Sequence, residues 1–210
     1  MRVFLGSSLA LVALASIVGF KQMGGAQSFS LKDPKGVSGL SISIDSKLEP
    51  VKGFANGVSG NVTFDPSKPS AATGTVVIDA ASTYVASRGM TEAMHQDWCL
   101  DVAKYPTIEF KITKVTGVKA GKDGTYSAKV SGDFTLKGIT KAMTVDATAT
   151  HLPNMIKQRG GMPGKDGDLL VIRSNFSFKR SDFKIAPDLS TNVIGDRVDI
   201  GLSFVAVSPR

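Results

Sequence analysis

Thr125-Tyr126-Ser127-Ala128-Lys129-Val130-Ser131-Gly132-Asp133-Phe134-Thr135-Leu136-Lys137 carries an apolar residue or glycine at every even position and a polar residue at every odd one. A strand sends successive side chains to opposite faces, so this run reads as a strand with one wet face and one buried face. The same period of two runs through Leu40/Ile42/Ile44, Val58/Val62/Phe64, Ile108/Phe110/Ile112, Met143/Val145/Ala147/Ala149, Ile172/Phe176/Phe178 and Val198/Ile200/Leu202/Phe204. One-sided strands of this kind make antiparallel sheets. The fold class is all-β.

Composition agrees with one domain. The chain has 210 residues, 42% hydrophobic and 20% charged, enough to enclose a core. Its 22 glycines and nine prolines are spread between short apolar runs, as many tight turns require, and no internal repeat or low-complexity tract occurs. One helix is expected between Arg88 and Asp101, with Met90, Ala93, Met94, Trp98 and Leu100 as its apolar positions. Tyr105-Pro106 ends it, because the residue before a proline is pushed out of helical geometry. So many one-sided strands with so little helix must either pack as a sandwich or close into a barrel, and closure also removes exposed edges. About eight strands enclose an interior wide enough for one small ligand. Periodicity alone does not separate the two architectures.

The N-terminus reads as a secretory leader over residues 1–26, followed by the domain at 27–210. Arg2 provides a positive start, Leu9 to Phe20 is apolar apart from Ser16 and Gly19, and Gly24-Gly25-Ala26 offers the small residues a signal peptidase accepts. The expected location is therefore the periplasm or the exterior. An uncleaved anchor is the weaker reading, since Gly6-Ser7-Ser8 interrupts the apolar stretch. No cysteine lies near the cleavage site, which argues against a lipoprotein. The single cysteine, Cys99, has no intramolecular partner, so the core must hold the fold without a disulfide.

Catalytic signatures are missing. There is no Gly-x-Ser-x-Gly elbow, no His-Glu-x-x-His and no glycine-rich phosphate loop, and Asp166-Gly167-Asp168 lacks the further ligands of a calcium loop. His95 and His151 are the only histidines. On a helix His95 and Cys99 would share a face and supply half a metal site, but two more donors are needed, and packing is the better reading. His151 continues the inward parity of Met143 to Ala149; closing a strand end by hydrogen bonding suits it better than proton transfer. The expectation is a protein that is not an enzyme, with no metal and no cofactor.

The segment Trp98-Cys99-Leu100-Asp101-Val102-Ala103-Lys104-Tyr105-Pro106-Thr107-Ile108-Glu109-Phe110, followed by Gly132-Asp133-Phe134-Thr135-Leu136-Lys137-Gly138-Ile139-Thr140-Lys141, resembles the YceI-like family of periplasmic lipid-binding proteins. There a helix ends in Asp-Val-Ala-Lys-Tyr-Pro, and a hairpin carries Gly-Asp-Leu-Thr-x-x-Gly-Val-Thr. Gly60-Asn61-Val62-Thr63-Phe64-Asp65-Pro66 is similar to the family's second hairpin and Ala81-Ser82-Thr83 to the turn before its helix. Arg180-Ser181-Asp182-Phe183 and Gly195-Asp196-Arg197-Val198-Asp199-Ile200 match its terminal signatures. Each motif is weak alone; their order and spacing from about Leu40 onward are specific. One departure stands out: where the family often has Arg-Asp-x-His, this chain has Met90, Thr91 and Ala93, with Arg88 two residues upstream, so no role is carried onto them.

The resemblance implies an antiparallel lipocalin-like β-barrel of about eight strands with one short helix near its mouth. It also implies a non-enzymatic binding protein holding a long-chain isoprenoid, a quinone-like molecule or another fatty amphiphile, for carriage or storage. An envelope stress-response or interaction module with an incidental cavity is the alternative, and a hydrolase acting on a bound lipid the more distant one. Parity and the helix then nominate Ile42, Ile44, Phe64, Met94, Trp98, Ile108, Phe110, Val130, Phe134, Val145, Phe176, Phe178 and Phe204 as ligand-binding positions. For Met94 and Trp98 a plug for one barrel end is the alternative to direct ligand contact, and the better reading of the pair. The glycine-rich Asn154 to Asp168 reads as an exposed strand connection, with a lip at the mouth as its alternative. Without Arg2 and Lys21 the chain has 23 basic and 18 acidic residues, a net charge of +5. That is compatible with transient contact at an anionic membrane surface. No nucleic-acid partner is expected, since no aromatic-interleaved basic patch occurs, and oligomeric state is not readable.

Overall fold

A computed structural model describes residues 25–159 and 165–210. The expected leader lies outside the described residues except for its last two positions. The strands are β1 (Gln27–Ser30), β2 (Gly39–Ile44), β3 (Val51–Ala55), β4 (Val58–Phe64), β5 (Thr73–Asp79), β6 (Thr83–Val85), β7 (Thr107–Ala120), β8 (Thr125–Leu136), β9 (Ile139–Leu152), β10 (Gly167–Lys179) and β11 (Arg197–Pro209). Two helices join them, α1 (Arg88–Met94) and α2 (Ile156–Arg159).

Every pairing is antiparallel. β1, β4, β5, β7, β8, β9, β10 and β11 are successive neighbours, and β1 returns to β11 where Ser30 faces Val207. This closes an eight-stranded barrel. β11 is long enough to serve two partners: its first half, Asp199 to Ser203, pairs with Ser43 to Gly39 of β2, and β3 and β6 extend the sheet beyond. The barrel thus closes tightly at the β1 end and widens into a flap at the other.

The alternation in β8 is realised residue by residue. Phe134 and Leu136 are buried on the inner face while Lys129 is exposed on the outer one. β7 keeps the inward set Ile108, Phe110 and Ile112, then shifts register between Ile112 and Lys114 and again between Thr116 and Lys119. A bulge inserts an unpaired residue and re-aims the side chains beyond it. The shifts bring Val115 opposite Val130, a lining residue that a strict period of two from Ile108 does not reach, and the second shift returns Val118 to the lumen. In β4, Gly60 sits at φ +103° with its α-carbon so close to β5 that a Cβ would lie 2.1 Å from the Thr75 carbonyl oxygen. Only glycine fits there.

Two expectations are corrected. The helix ends at Met94, not Asp101: His95 caps it, and its ring Nε2 lies 2.9 Å from the Thr83 carbonyl oxygen and 3.2 Å from its hydroxyl. Tight turns follow, with Cys99 N donating to Gln96 O and Leu100 N to Met94 O. Trp98 and Cys99 therefore sit on a turn after the helix, and the shared helical face of His95 and Cys99 does not form. In the Asn154 to Asp168 connection, Ile156 of α2 is buried against Leu169 and Val207, and Arg159 pairs with Asp33 at 2.7 Å. This connection leaves the end of β9 remote from α1, so its described part packs as a closure of the far end rather than as a lip beside the helix. Residues 160–164 lie outside the description.

Candidate functional site: a two-lobed barrel interior

Many inward residues are only half-buried, among them Ile42, Val130, Val145 and Phe176. Side chains that point into a filled core are inaccessible; these are accessible because the interior is hollow. The space forms two lobes stacked along the strands. The wide lobe has a volume of about 370 Å³ and lies toward α1. A narrow lobe of about 120 Å³ lies toward the β7–β8 turn. Val76, Phe110, Val145, Leu202 and Phe204 line both and form a waist between them.

All thirteen nominated residues lie along this interior. Ile42, Ile44, Met94, Trp98, Ile108, Phe134, Phe176 and Phe178 line the wide lobe, and Phe64 and Val130 the narrow one. Phe110, Val145 and Phe204 stand at the waist. Phe134 is held by three aromatic neighbours, Phe183 at 5.3 Å, Phe178 at 5.5 Å and Phe176 at 6.3 Å between ring centroids. Such edge and tilted contacts fix a ring's position beyond what area burial supplies. Trp98 and Met90 are 44% and 41% exposed while also lining the wide lobe, which marks the mouth.

Sequence reading missed part of the wall. Val76 and Ile78 come from β5, whose adjacent Val76-Val77 pair blurs alternation, and Val85 from a strand of three residues. Ile185, Ala186, Leu189 and Ile194 come from the irregular connection before β11. No periodicity marks such a segment.

Arg180 explains how that connection forms a wall. It is 4% exposed, lines the wide lobe, and donates to the backbone carbonyls of Gly195, Ile185, Ala186, Leu189 and Ile194. Five guanidinium N–H groups meet five carbonyls, so the side chain is saturated and folds the connection around itself. The Ala186 amide then donates to the Trp98 carbonyl at 2.9 Å, which joins the two sides of the mouth. Arg180 is the only cationic side chain on either lobe among the described residues; Glu49 and Glu109 are the acidic ones.

The nucleophile and proton-shuttle candidates have other engagements. Burial pushes the Cys99 thiol up to about 11, the charges of Lys137 and Arg180 opposing this incompletely, so it stays protonated. His151 lies at the closed end, 7% exposed, with Nε2 3.2 Å from Asp168 Oδ2 and its ring edge-on to Phe29. Asp168 is fully buried and accepts from Gln27, the Asn154 amide and Arg210 as well. Burial alone would raise its pKa, but those hydrogen bonds prevail and hold it below the usual carboxylate range. This network seals a strand end, and it is separated from both lobes. Among the described residues no group of three or more His, Cys, Asp or Glu side chains is placed to hold a metal ion.

The architecture recurs in known proteins. A UPF0312 protein of Pseudomonas fluorescens is 28% identical over 163 residues, which is 76% of this chain and 76% of that protein. The crystal structure of a Campylobacter jejuni YCEI protein superposes with a TM-score of 0.62 at 26% identity, covering 79% of this chain and 90% of the other. A polyisoprenoid binding domain from Saccharophagus degradans, implicated in plant cell wall breakdown, superposes with a TM-score of 0.62 at 14% identity, over 87% of this chain and 99% of that one, a likeness of fold alone. The family profile described as the YceI-like domain matches residues 17–206, nearly the whole length, so the chain belongs to the YceI-like domain family.

Proposed function

We propose that this protein is an exported, non-catalytic carrier or store for a long-chain isoprenoid, quinone-like or other fatty amphiphile, held within the barrel. The observation that supports this reading best is the continuous apolar interior opening beside Trp98 and Met90. The polyisoprenoid binding attributed to the Saccharophagus degradans domain of the same fold points the same way. Burying a chain yields about 0.8 kcal/mol per methylene. A bilayer offers nearly the same gain, so affinity over the membrane must come from shape and the head group, and the protein can both load and release its lipid. Non-catalytic carriage fits a lumen in which, among the described residues, the one thiol is protonated and the one cation is saturated by carbonyls. Export, a mature chain from about Gln27 and a periplasmic or secreted location complete the proposal. Transient contact with anionic lipid is its proposed mode of loading.

The test is to purify the mature protein from the compartment it reaches, extract it with organic solvent and identify the extract by mass spectrometry. A stoichiometric long-chain lipid is the expected result. Empty protein that also fails to take up prenols or quinones in vitro would overturn the proposal in favour of an interaction module. Turnover of a bound ester or diphosphate would overturn its non-catalytic part.

A further inference from the structure

The two lobes follow the strands in register. On β8, Tyr126, Ala128 and Val130 line the narrow lobe, while Phe134 and Leu136 line the wide one. Between them stands Gly132, and a Cβ there would lie 2.6 Å from two carbons of the Phe110 ring. The missing side chain lets that ring lie back against the barrel wall. On β10 the same division falls between Ser174 and Phe176. The waist is thus a layer of the barrel where one ring is given room to recede.

The narrow lobe is kept open by small residues: Ala72, Ala128, Ala147 and Ala149 all face it. A cavity admits a water above about 10–15 Å³ but needs polar partners to keep it, and here they are scarce. The Tyr126 hydroxyl donates to the Pro66 carbonyl and the Ser174 hydroxyl to the Asp146 carbonyl. Among the described residues no charged side chain lines this lobe. Space of about 120 Å³ with apolar walls and engaged hydroxyls suits hydrocarbon.

We propose that the narrow lobe is a tail subsite and that the waist formed by Phe110 and Phe204 makes the barrel selective for chain length. This rests on the lipid-binding reading. A chain that enters beside Trp98 fills the wide lobe first; only a longer one passes the waist. Affinity then rises with length until the narrow lobe is full and stops rising when further carbons remain outside.

The probes are all-trans prenols of two to eight isoprene units, titrated by displacement of a fluorescent fatty acid from the full mature chain. Wild-type affinity should climb and reach a plateau. Ala147→Leu, which fills the narrow lobe, should bring the plateau to a shorter prenol and weaken the longer ones at least about tenfold, since each methylene lost is worth about fourfold. The shortest binding prenols should be unaffected. Val118→Phe fills the same lobe from the bulged, half-buried end of β7 and serves if Ala147→Leu does not fold. Prenols that bind with the plateau unmoved in a folded variant would overturn the tail subsite and leave the carrier reading standing. Prenols that do not bind wild-type protein at any length would overturn both.

Discussion

A carboxylate placed in the lumen tests the facing of its wall, and Phe178→Asp is the sharpest version. Phe178 lines the wide lobe and is half-buried, with its ring 5.5 Å from Phe134 and 5.4 Å from Phe183. In the empty protein water reaches the lumen, so an aspartate there can ionise and the fold should survive. A bound chain removes that water. The carboxylate must then either stay charged against hydrocarbon or take up a proton, and the cheaper course limits the loss. From an ordinary aspartate pKa of about 3.9 to pH 7, protonation costs about 4 kcal/mol at 1.36 kcal/mol per unit, close to a thousandfold in affinity. The loss should shrink about tenfold for each unit the pH falls and nearly disappear by about pH 4. Phe178→Leu serves as the control for lost ring contacts and should bind with little pH dependence. The assay is displacement of a fluorescent fatty acid at several pH values, with circular dichroism to confirm folding. Equal binding by the Asp and Leu variants at pH 7 would refute the inward placement of residue 178 in the occupied state.

Asp168→Asn should destabilise the protein by about 3 kcal/mol, because it removes a buried carboxylate that is hydrogen-bonded to His151 and ion-paired with Arg210. Its pKa is depressed in the fold, so its contribution is complete above about pH 4 and disappears as pH falls through the lower folded value; thermal melts of wild type and variant should therefore converge in acid, and parallel curves would contradict the assignment. Arg180→Lys has fewer donors for five carbonyls and should cost at least about 3 kcal/mol, with hydrogen exchange accelerated first over residues 185–194; unchanged exchange there would show that the arginine does not organise that wall. Cys99, held near 11, should react with iodoacetamide at pH 8 more than about 100-fold slower than an ordinary thiol, and recover normal reactivity in denaturant; prompt reaction in the native state would contradict its burial.

The barrel was legible where side chains alternate without interruption. That pattern runs over Tyr126–Leu136 in β8, Met143–Ala149 in β9, Ile172–Phe178 in β10 and Val198–Phe204 in β11, and these four strands supply half of the closed ring. β1 was not legible: Gln27-Ser28-Phe29-Ser30 is four residues with one apolar side chain, yet it closes the barrel and buries Phe29 completely. β3 presents its pattern backwards, with Val51, Gly53 and Ala55 inward and Phe54 exposed, so the largest side chain faces water beside Tyr84. Such a strand is recognisable only once its partners are placed. Parity did find the wall, since every nominated strand residue faces the interior. It could not find depth, and so gave no sign that Phe64 and Val130 belong to a different lobe from Phe134 and Phe178. Nor does it register contributions from irregular chain: the 185–194 wall depends on Arg180, visible in sequence as part of a signature but not as the centre of five hydrogen bonds.

These features together bear on how the proposed carrier would hold a membrane molecule without trapping it. The methylene gain is nearly equal in bilayer and barrel, so it cannot decide where the molecule resides. What differs between the two environments is constraint. A bilayer accepts any chain length, whereas this interior has a mouth at Trp98, a waist at Phe110 and Phe204, and a far end walled by Phe64, Tyr126 and Leu170. A chain that matches those distances loses little on leaving the membrane, and one that overshoots leaves carbons in water at about 0.8 kcal/mol each. On the proposed reading, selectivity arises from where the hollow ends rather than from the greasiness of its walls. Two residues that shape this hollow, an arginine bound to carbonyls and a glycine that lets a ring recede, are not among the apolar ones that identify the fold.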